Sequence, residues 1–367
     1  MRNIKNPVSL SAEQNEKLLS LLPPGTGPER IVFWDIETTG LSRIYDSVYL
    51  MGYLYWEGRQ MYIEQHLASA LSDEPAILRD FVDKSEYFEK IVTFNGDTFD
   101  MPFVRERLRR LHIPGEISAM QSVDLYREFR PYASLLGLPD CKLKTVEKFL
   151  RIERQDVMSG GELISVYDEY TRTDSPDLEK ILLLHNYEDI LHLPELLPVQ
   201  SLIRCLYHTE ICSCSAIQQS GSVTLTFRTS DTVPLCIRTT YPHKKLQFPV
   251  TLETDGLQIS LTVPLFSGTL RYYIPNYKDY ILLPDGTPQL KAFSVPVAEK
   301  ATRSNCFLRR EGAFLAFPGQ TELPAGLHLF RQDLRDRKQY LLLEELPVFL
   351  SAAGPVDLRS LLTFFLI

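Results

Sequence analysis

Residues 30–40 read RIVFWDIETTG. Arg30 to Ile36 is a short run of strand-forming residues with apolar side chains on both faces, the pattern of a central strand covered on each side of its sheet. Asp35 and Glu37 stand two apart in this run. Alternate residues of a strand point to one face, so the two carboxylates project together, while Trp34 and Ile36 point the other way. Two acids side by side at the end of a buried strand repel each other. They are tolerable with a cation between them or with solvent access, and both readings stand at this point.

The pattern around this strand sets the fold class. Residues 1–29 read as a helical lead, Ser11 to Leu22 with Ser11 as N-cap, and a Pro-Pro-Gly-Thr-Gly-Pro linker. Ser47 to Trp56 and Gln60 to Leu67 are two strands around Glu57-Gly58, a hairpin turn. Asp73 to Tyr87 is an amphipathic helix, Lys90 to Phe94 a short buried strand, and Phe99 to Leu111 a helix. Ile117 to Tyr126 holds a strand ending near Asp124. From Leu143 to Leu197 the pattern is helical. A strand trio followed by alternating helix and strand predicts a three-layer α/β domain with a mixed central sheet over residues 30–199.

After residue 200 the period shortens. Strands are expected at Val223–Arg228, Leu235–Thr240, Val250–Glu253, Leu257–Val263, Leu270–Tyr273, Tyr280–Leu283, Lys291–Val295, Cys306–Arg309 and Ala313–Phe317, with Asp255-Gly256 as a hairpin turn and a helix after Pro355. Residues 200–367 are therefore read as a smaller, mostly-β accessory domain, and no motif in them carries a chemical reading.

Charge divides along the same line. The chain of 367 residues carries a net −8, but residues 1–199 hold 22 basic and 33 acidic side chains, and residues 200–367 hold 17 and 14. A cluster of metal-binding carboxylates produces such an acidic half, and so does surface acid alone. No stretch approaches the ~18 apolar residues of a membrane span. The N-terminus has no apolar core before a small-residue cleavage site, so a cytoplasmic protein is expected. The six cysteines show no disulfide-framework spacing. Cys205, His208, Cys212 and Cys214 give C-x2-H-x3-C-x-C, which matches no standard zinc finger.

Two further acids complete a set. Asp100 follows Asn95-Gly96-Asp97-Thr98-Phe99 and enters a helix, where an Asp also serves as a simple cap. Asp189 lies within LLLHNYEDILHL, with His185 one helical turn earlier on the same face. Carboxylates favour hard cations, and four of them can hold two Mg²⁺ or Mn²⁺ ions of the kind that hydrolyse phosphodiesters.

The runs WDIETTG, NGDTFD and HNYED, in this order on these elements, resemble the three exonuclease motifs of the DEDD superfamily, which has the RNase H-like (DnaQ-like) fold. The likeness covers residues 30–199. The segment SLLGLPDCKLKTVEKFLRIERQDVMSGGELISVYDEY is similar to the bacterial YprB-like branch of predicted exonucleases. The resemblance implies that Asp35, Glu37, Asp100 and Asp189 bind two metal ions, that cleavage runs 3′→5′ on a single-stranded nucleic-acid end, and that nucleoside monophosphates are released. His185 is the candidate general base. The superfamily carries a Tyr four residues before the last Asp or a His five before it; here a His stands at the Tyr spacing, which leaves the subclass open.

Thr38, Asn95, Phe99 and Lys144 are the expected substrate contacts. Arg105, Arg107, Arg109 and Arg110 either hold phosphates or form a solvated helix face beside Glu106. Asp124 is read as a supporting acid or a turn. Tyr126, Phe129 and Tyr132 stack bases or sit in the core. The competing classes are a nucleic-acid-binding protein of this fold with little turnover and an endonuclease.

Overall fold

The computed structural model describes residues 1–23, 25–115, 117, 120–291 and 297–366. In chain order its first part contains β1 (Arg2–Val8), α1 (Ala12–Leu21), β2 (Ile31–Thr38), β3 (Val48–Glu57), β4 (Gln60–Leu67), α2 (Glu74–Ser85), β5 (Lys90–Thr93), α3 (Asp100–Arg110), β6 (Gln121–Asp124), α4 (Leu125–Phe129), α5 (Leu143–Phe149), α6 (Gly160–Thr173) and α7 (Pro176–His192). The chain divides into two compact units, Met1–Ala133 with Leu138–Ser201 and Ser134–Gly137 with Leu202–Ile367.

The first unit is built on a six-stranded sheet in the order β1-β4-β3-β2-β5-β6. The pairs β1–β4, β4–β3 and β3–β2 are antiparallel, and β2–β5 and β5–β6 are parallel. The mixed α/β class expected from the pattern is the one found. Trp34 stacks on Phe81 of α2, with ring centroids 4.6 Å apart, so α2 covers the Trp34 face of the sheet. α7 lies on the opposite face, the one to which Asp35 points, where Asn186 reaches Asp35. Covered on both faces, β2 and β3 bury nearly every residue, which explains their continuous apolar sequence.

One expectation for residues 1–29 fails. The helical lead is present, and its start is closed by a capping box in which Ser11 Oγ accepts from Gln14 N and Gln14 Oε1 accepts from Ser11 N. The residues before it, however, are not part of a helical lead: Arg2–Val8 pairs with β4 over seven residues and forms an edge of the sheet. Pro7 is tolerated because an edge strand has one side without a ladder partner.

The second unit carries a five-stranded antiparallel sheet in which Ile211–Gln219, Ser222–Thr229, Gln258–Pro264, Pro249–Asp255 and Arg238–Pro242 lie side by side. Inward residues alternate with outward ones, as in Val223, Leu225 and Phe227 against Thr224 and Thr226. A four-stranded sheet includes Phe266–Tyr273 and Phe307–Phe317, and a three-stranded one includes Tyr280–Leu282. Two strands expected at Cys306–Arg309 and Ala313–Phe317 are one continuous strand through Gly312. The strand Ile211–Gln219 was not foreseen, and the one expected at Lys291–Val295 falls mostly outside the described residues. Pro355–Leu366 is the expected closing helix. No helix among the described residues is long and apolar enough to cross a membrane.

Candidate active site

The site grows from the unequal lengths of β2 and β5. Their parallel ladder ends at Phe33 and Val92, and β5 stops at Thr93. β2 runs on beyond that edge, so the Ile36 amide is left without a strand partner there. Asp100, the first residue of α3, takes that amide on its carboxyl and is itself buried. A helix start thus completes a sheet edge and delivers an acid next to Asp35 and Glu37.

The four acids from distant parts of the sequence feel one another. Burial, and then the charges of Asp189, Asp100 and Glu37, hold the Asp35 carboxyl well above the usual carboxylate range. Burial, then Asp189 and Asp100, do the same to Glu37. Burial pushes Asp100 up to about 7, against the backbone bonds it accepts and with help from Asp124 and Asp189. Among the described residues no Lys or Arg lies within ion-pair distance of Asp35, Glu37 or Asp100; only His185 approaches Glu37. These are buried oxygens whose negative charge is not neutralised by the protein.

α7 supplies the other wall. His185 Nε2 lies 3.4 Å from Glu37 Oε1 and 3.5 Å from Asp189 Oδ2. Ligand atoms of Glu37, His185 and Asp189 all lie within 4.8 Å of one another, close enough to share a metal ion. Asn186 donates from Nδ2 to Asp35 Oδ2 at 3.0 Å. Its own oxygen accepts from Gln65 Nε2 on β4 at 2.9 Å, so a chain of amides fixes the Asp35 carboxylate. Gly52, opposite Asp35 on β3, makes room for this: a Cβ there would stand 2.2 Å from Asn186 Oδ1. Asn186 was missed in the sequence because an Asn in HNYED has no distinguishing spacing.

A buried ion-pair network backs this wall, and it too was missed. Arg154, 7% exposed, donates to Asp189, to Glu147 at 3.0 Å and to Asp156 at 3.3 Å, and lies 3.5 Å from Glu188. Asp156 also accepts from Lys144 at 2.9 Å and approaches His185 Nδ1 to 2.8 Å. Burial alone would raise Asp156, but Lys144 and His185 outweigh it and hold its carboxyl below the ordinary value. The charged run RIERQD carries no local pattern that marks it for burial, and tertiary packing buries the Arg154 and Asp156 side chains in it.

The remaining expected residues have these places. Thr38 is buried and donates to the Gly40 carbonyl at 2.7 Å. Asn95 takes the left-handed conformation (φ 71°) in the turn before α3, and its side-chain oxygen accepts from Thr98. Phe99 packs on the core beside Phe103. Lys144 is engaged by Asp156 and the Met158 carbonyl. Asp124 caps α4 and accepts the Asn95 and Asp97 amides, which holds the turn below Asp100. Arg107 is paired with Glu74, and Arg109 and Arg110 with Glu106. Phe129 is wholly buried. Cys205, His208, Cys212 and Cys214 form no metal-holding group among the described residues. A cleft of about 360 Å³ opens beside His185 and Asp189, with Lys142, Lys144, Ser159 and Gly160 on its walls.

Residues 32–199 match the family model described as RNase_H superfamily. This segment, a little under half of the chain, is similar to RNase H superfamily domains. It carries β2 to β6, α2 to α7 and all of the acids described above. Over 183 residues the chain is 27% identical to "Uncharacterized protein YprB" of Bacillus subtilis (strain 168), an alignment that covers 47% of this chain and 42% of that protein. Solved structures with partial likeness include the family B DNA polymerase of the archaeon Pyrobaculum calidifontis (TM-score 0.35, 16% identity, 73% of this chain and 40% of the polymerase). An ExoI/SSB-Ct complex (0.29, 12%, 61% and 55%) and exonuclease I (0.28, 14%, 56% and 56%) are others. All three scores are too low to carry a fold inference by themselves.

The donors around β2 and α7 fit a hard divalent cation. They are carboxylate oxygens with one imidazole, they are largely buried, and three of them have a proton affinity raised by burial and by the charges of neighbouring acids.

Proposed function

We propose that the RNase H-like domain hydrolyses phosphodiester bonds in nucleic acid, as a 3′→5′ exonuclease on single-stranded ends. Asp35, Glu37, Asp100 and Asp189 are the ligands of two divalent ions, Mg²⁺ or Mn²⁺, in this reading. The observation that carries it is the convergence of acids whose proton affinity is raised by burial and by one another, while among the described residues no Lys or Arg lies within ion-pair distance of Asp35, Glu37 or Asp100. Burying such charge is costly and stabilises nothing by itself; the cost is offset when a cation binds.

Bound ions of this class lower the pKa of an attacking water and neutralise the departing oxygen. The protein's own groups do the rest. Asn186, backed by Gln65, orients the Asp35 carboxylate so that its free lone pairs face the other acids. Arg154 holds Asp189 against α5 and the 150–156 loop. His185 presents Nε2 between Glu37 and Asp189 and takes the proton of the attacking water, a contribution of about 10²–10⁴-fold. The cleft walled by Lys142 and Ser159 leads strand phosphates to His185 and Asp189.

The test is incubation of the purified chain with 5′-labelled single-stranded DNA and RNA, with Mn²⁺ and with EDTA. A metal-dependent ladder shortening from the 3′ end is expected. Asp35→Asn, Asp100→Asn and Asp189→Asn should each lower the rate by about 10³-fold or more, since each removes charge stabilisation from the reacting centre. Internal cuts would reassign the domain as an endonuclease, and binding without cleavage as a non-catalytic module.

A further inference from the structure

We propose that Asp156 is a positioning residue for His185: it accepts a hydrogen bond from Nδ1 and so turns Nε2 toward Glu37 and Asp189. The role of Nε2 rests on the phosphodiesterase reading; the bond at Nδ1 does not.

The geometry is specific. His185 Nδ1 lies 2.8 Å from Asp156 Oδ2, and both side chains are buried. An ionised carboxylate can only accept a hydrogen bond, so the ring nitrogen facing it must be the donor. Asp156 is kept ionised by its other neighbours. Lys144 Nζ is 2.9 Å from the same oxygen and Arg154 Nη2 is 3.3 Å from it. Its second oxygen accepts the Met158 amide at 3.0 Å. With Nδ1 committed as donor to Asp156, Nε2 is the ring atom directed at the gap between Glu37 and Asp189.

The pair is also held mechanically. Glu188, three residues after His185 on α7, accepts the amides of Gln155 at 2.9 Å and Asp156 at 2.8 Å. One carboxylate therefore ties the 155–156 segment to the helix turn that carries His185. The Asp156 carboxylate and the imidazole cannot drift apart without breaking both amide bonds. A carboxylate that fixes the far nitrogen of an imidazole sets the orientation and basicity of the near one, whether that nitrogen takes a proton or ligates a cation. Nothing in the sequence marks Asp156 for this, because it sits 29 residues from His185 in a charged loop.

The experiment reads the ring protons first. Long-range ¹⁵N–¹H correlation spectra of the metal-free full chain at alkaline pH, with His185→Gln for assignment, should show a proton on His185 Nδ1. In Asp156→Asn the amide NH₂ can donate to Nδ1, and Nδ1 should lose its proton. The same variant should lose about 10³-fold in kcat on a labelled single strand while KM changes less than about twofold, as expected when a tautomer is wrong and binding is intact. Asp156→Glu, which keeps the acceptor, should recover part of the loss. A parent protein whose His185 Nδ1 carries no proton overturns the proposal. So does an Asp156→Asn variant that keeps the Nδ1 proton, or that cleaves at the parental rate. If the parent fails to cleave any strand but shows the Nδ1 proton, and Asp156→Asn removes it, the positioning stands and the phosphodiesterase reading falls.

Discussion

The two units bury different kinds of polarity. In the first unit the buried polar residues include Glu37, Glu74, Asp100, Asp124, Glu147, Asp156, His185, Asn186 and Glu188. In the second unit, among the described residues, they are Thr209, Thr229, Thr239, His243 and Thr254, with no acid, Lys or Arg. Neutral hydroxyls are satisfied by one or two hydrogen bonds and fit between strands. Buried carboxylates require a cation or a set of donors. The contrast separates interior polarity that serves the fold from interior polarity that serves chemistry, and it divides the first unit as well. Glu74 is matched by Arg107, and Glu147 and Glu188 are matched by Arg154. Asp35, Glu37 and Asp100 have no such Arg or Lys partner among the described residues.

The sharpest way to break this division is at Arg154. Its guanidinium is the shared counter-charge for Glu147, Asp156, Glu188 and Asp189. Arg154→Met removes it and leaves several buried carboxylates uncompensated, a loss of about 3–5 kcal/mol in unfolding free energy by urea titration. Arg154→Lys should recover little, because an ammonium cannot reproduce the forked donors. A loss below ~1 kcal/mol for Arg154→Met would mean that the network is wet and that its acids are not a buried structural set.

The unpaired acids predict the opposite dependence on charge. Asp100 is raised from its ordinary value to about 7. A carboxyl whose proton affinity is higher in the folded chain contributes stability that is fully present below the unfolded value near 4. That contribution is lost as pH rises through the folded value. The metal-free chain should therefore lose on the order of 2 kcal/mol between pH 5 and pH 8 from this group. Asp35 and Glu37 shift in the same direction. Mn²⁺ should restore the loss at pH 8 and do little at pH 5, where protons hold the same oxygens. Thermal unfolding at both pH values, with EDTA and with Mn²⁺, measures this. A stability that rises with pH in EDTA, or a Mn²⁺ gain that is equal at both pH values, contradicts the assignment of these acids as unneutralised.

What the sequence made legible follows the same line. The strands whose apolar residues are continuous or alternate, and the acids at fixed places on them, could be read because local pattern alone determines them. β1 could not. Its RNIKNPV carries two basic residues and a Pro, and it becomes a strand only by pairing with β4 and by ion pairs such as Lys5 with Glu57 and Arg2 with Glu179. The acids proposed as metal ligands could be picked out of the sequence as a set, whereas the groups that contact them could not. Gln65, Arg154, Asp156, Asn186 and Glu188 act through contacts between segments far apart in sequence. The strand Ile211–Gln219 was hidden because Cys212 and Cys214 drew a metal reading, although their neighbours alternate along a sheet edge.

The smallest effect belongs to the second unit. On the outer face of its five-stranded sheet, Thr224 and Thr262 hydroxyls are 3.0 Å apart, and Thr226 and Ser260 are 3.1 Å apart. These cross-strand pairs sit on partly exposed positions, where water replaces a lost partner at little cost. Thr226→Val should change unfolding free energy by no more than about 0.5 kcal/mol, because the lost hydroxyl bond is offset by a better strand former. It should leave both the pH dependence and the Mn²⁺ response of the chain unchanged. A destabilisation above ~1.5 kcal/mol would place these hydroxyls in a dry interior. The second unit would then depend on buried polarity as the first does, and the contrast between the two would rest only on the sign and number of charges.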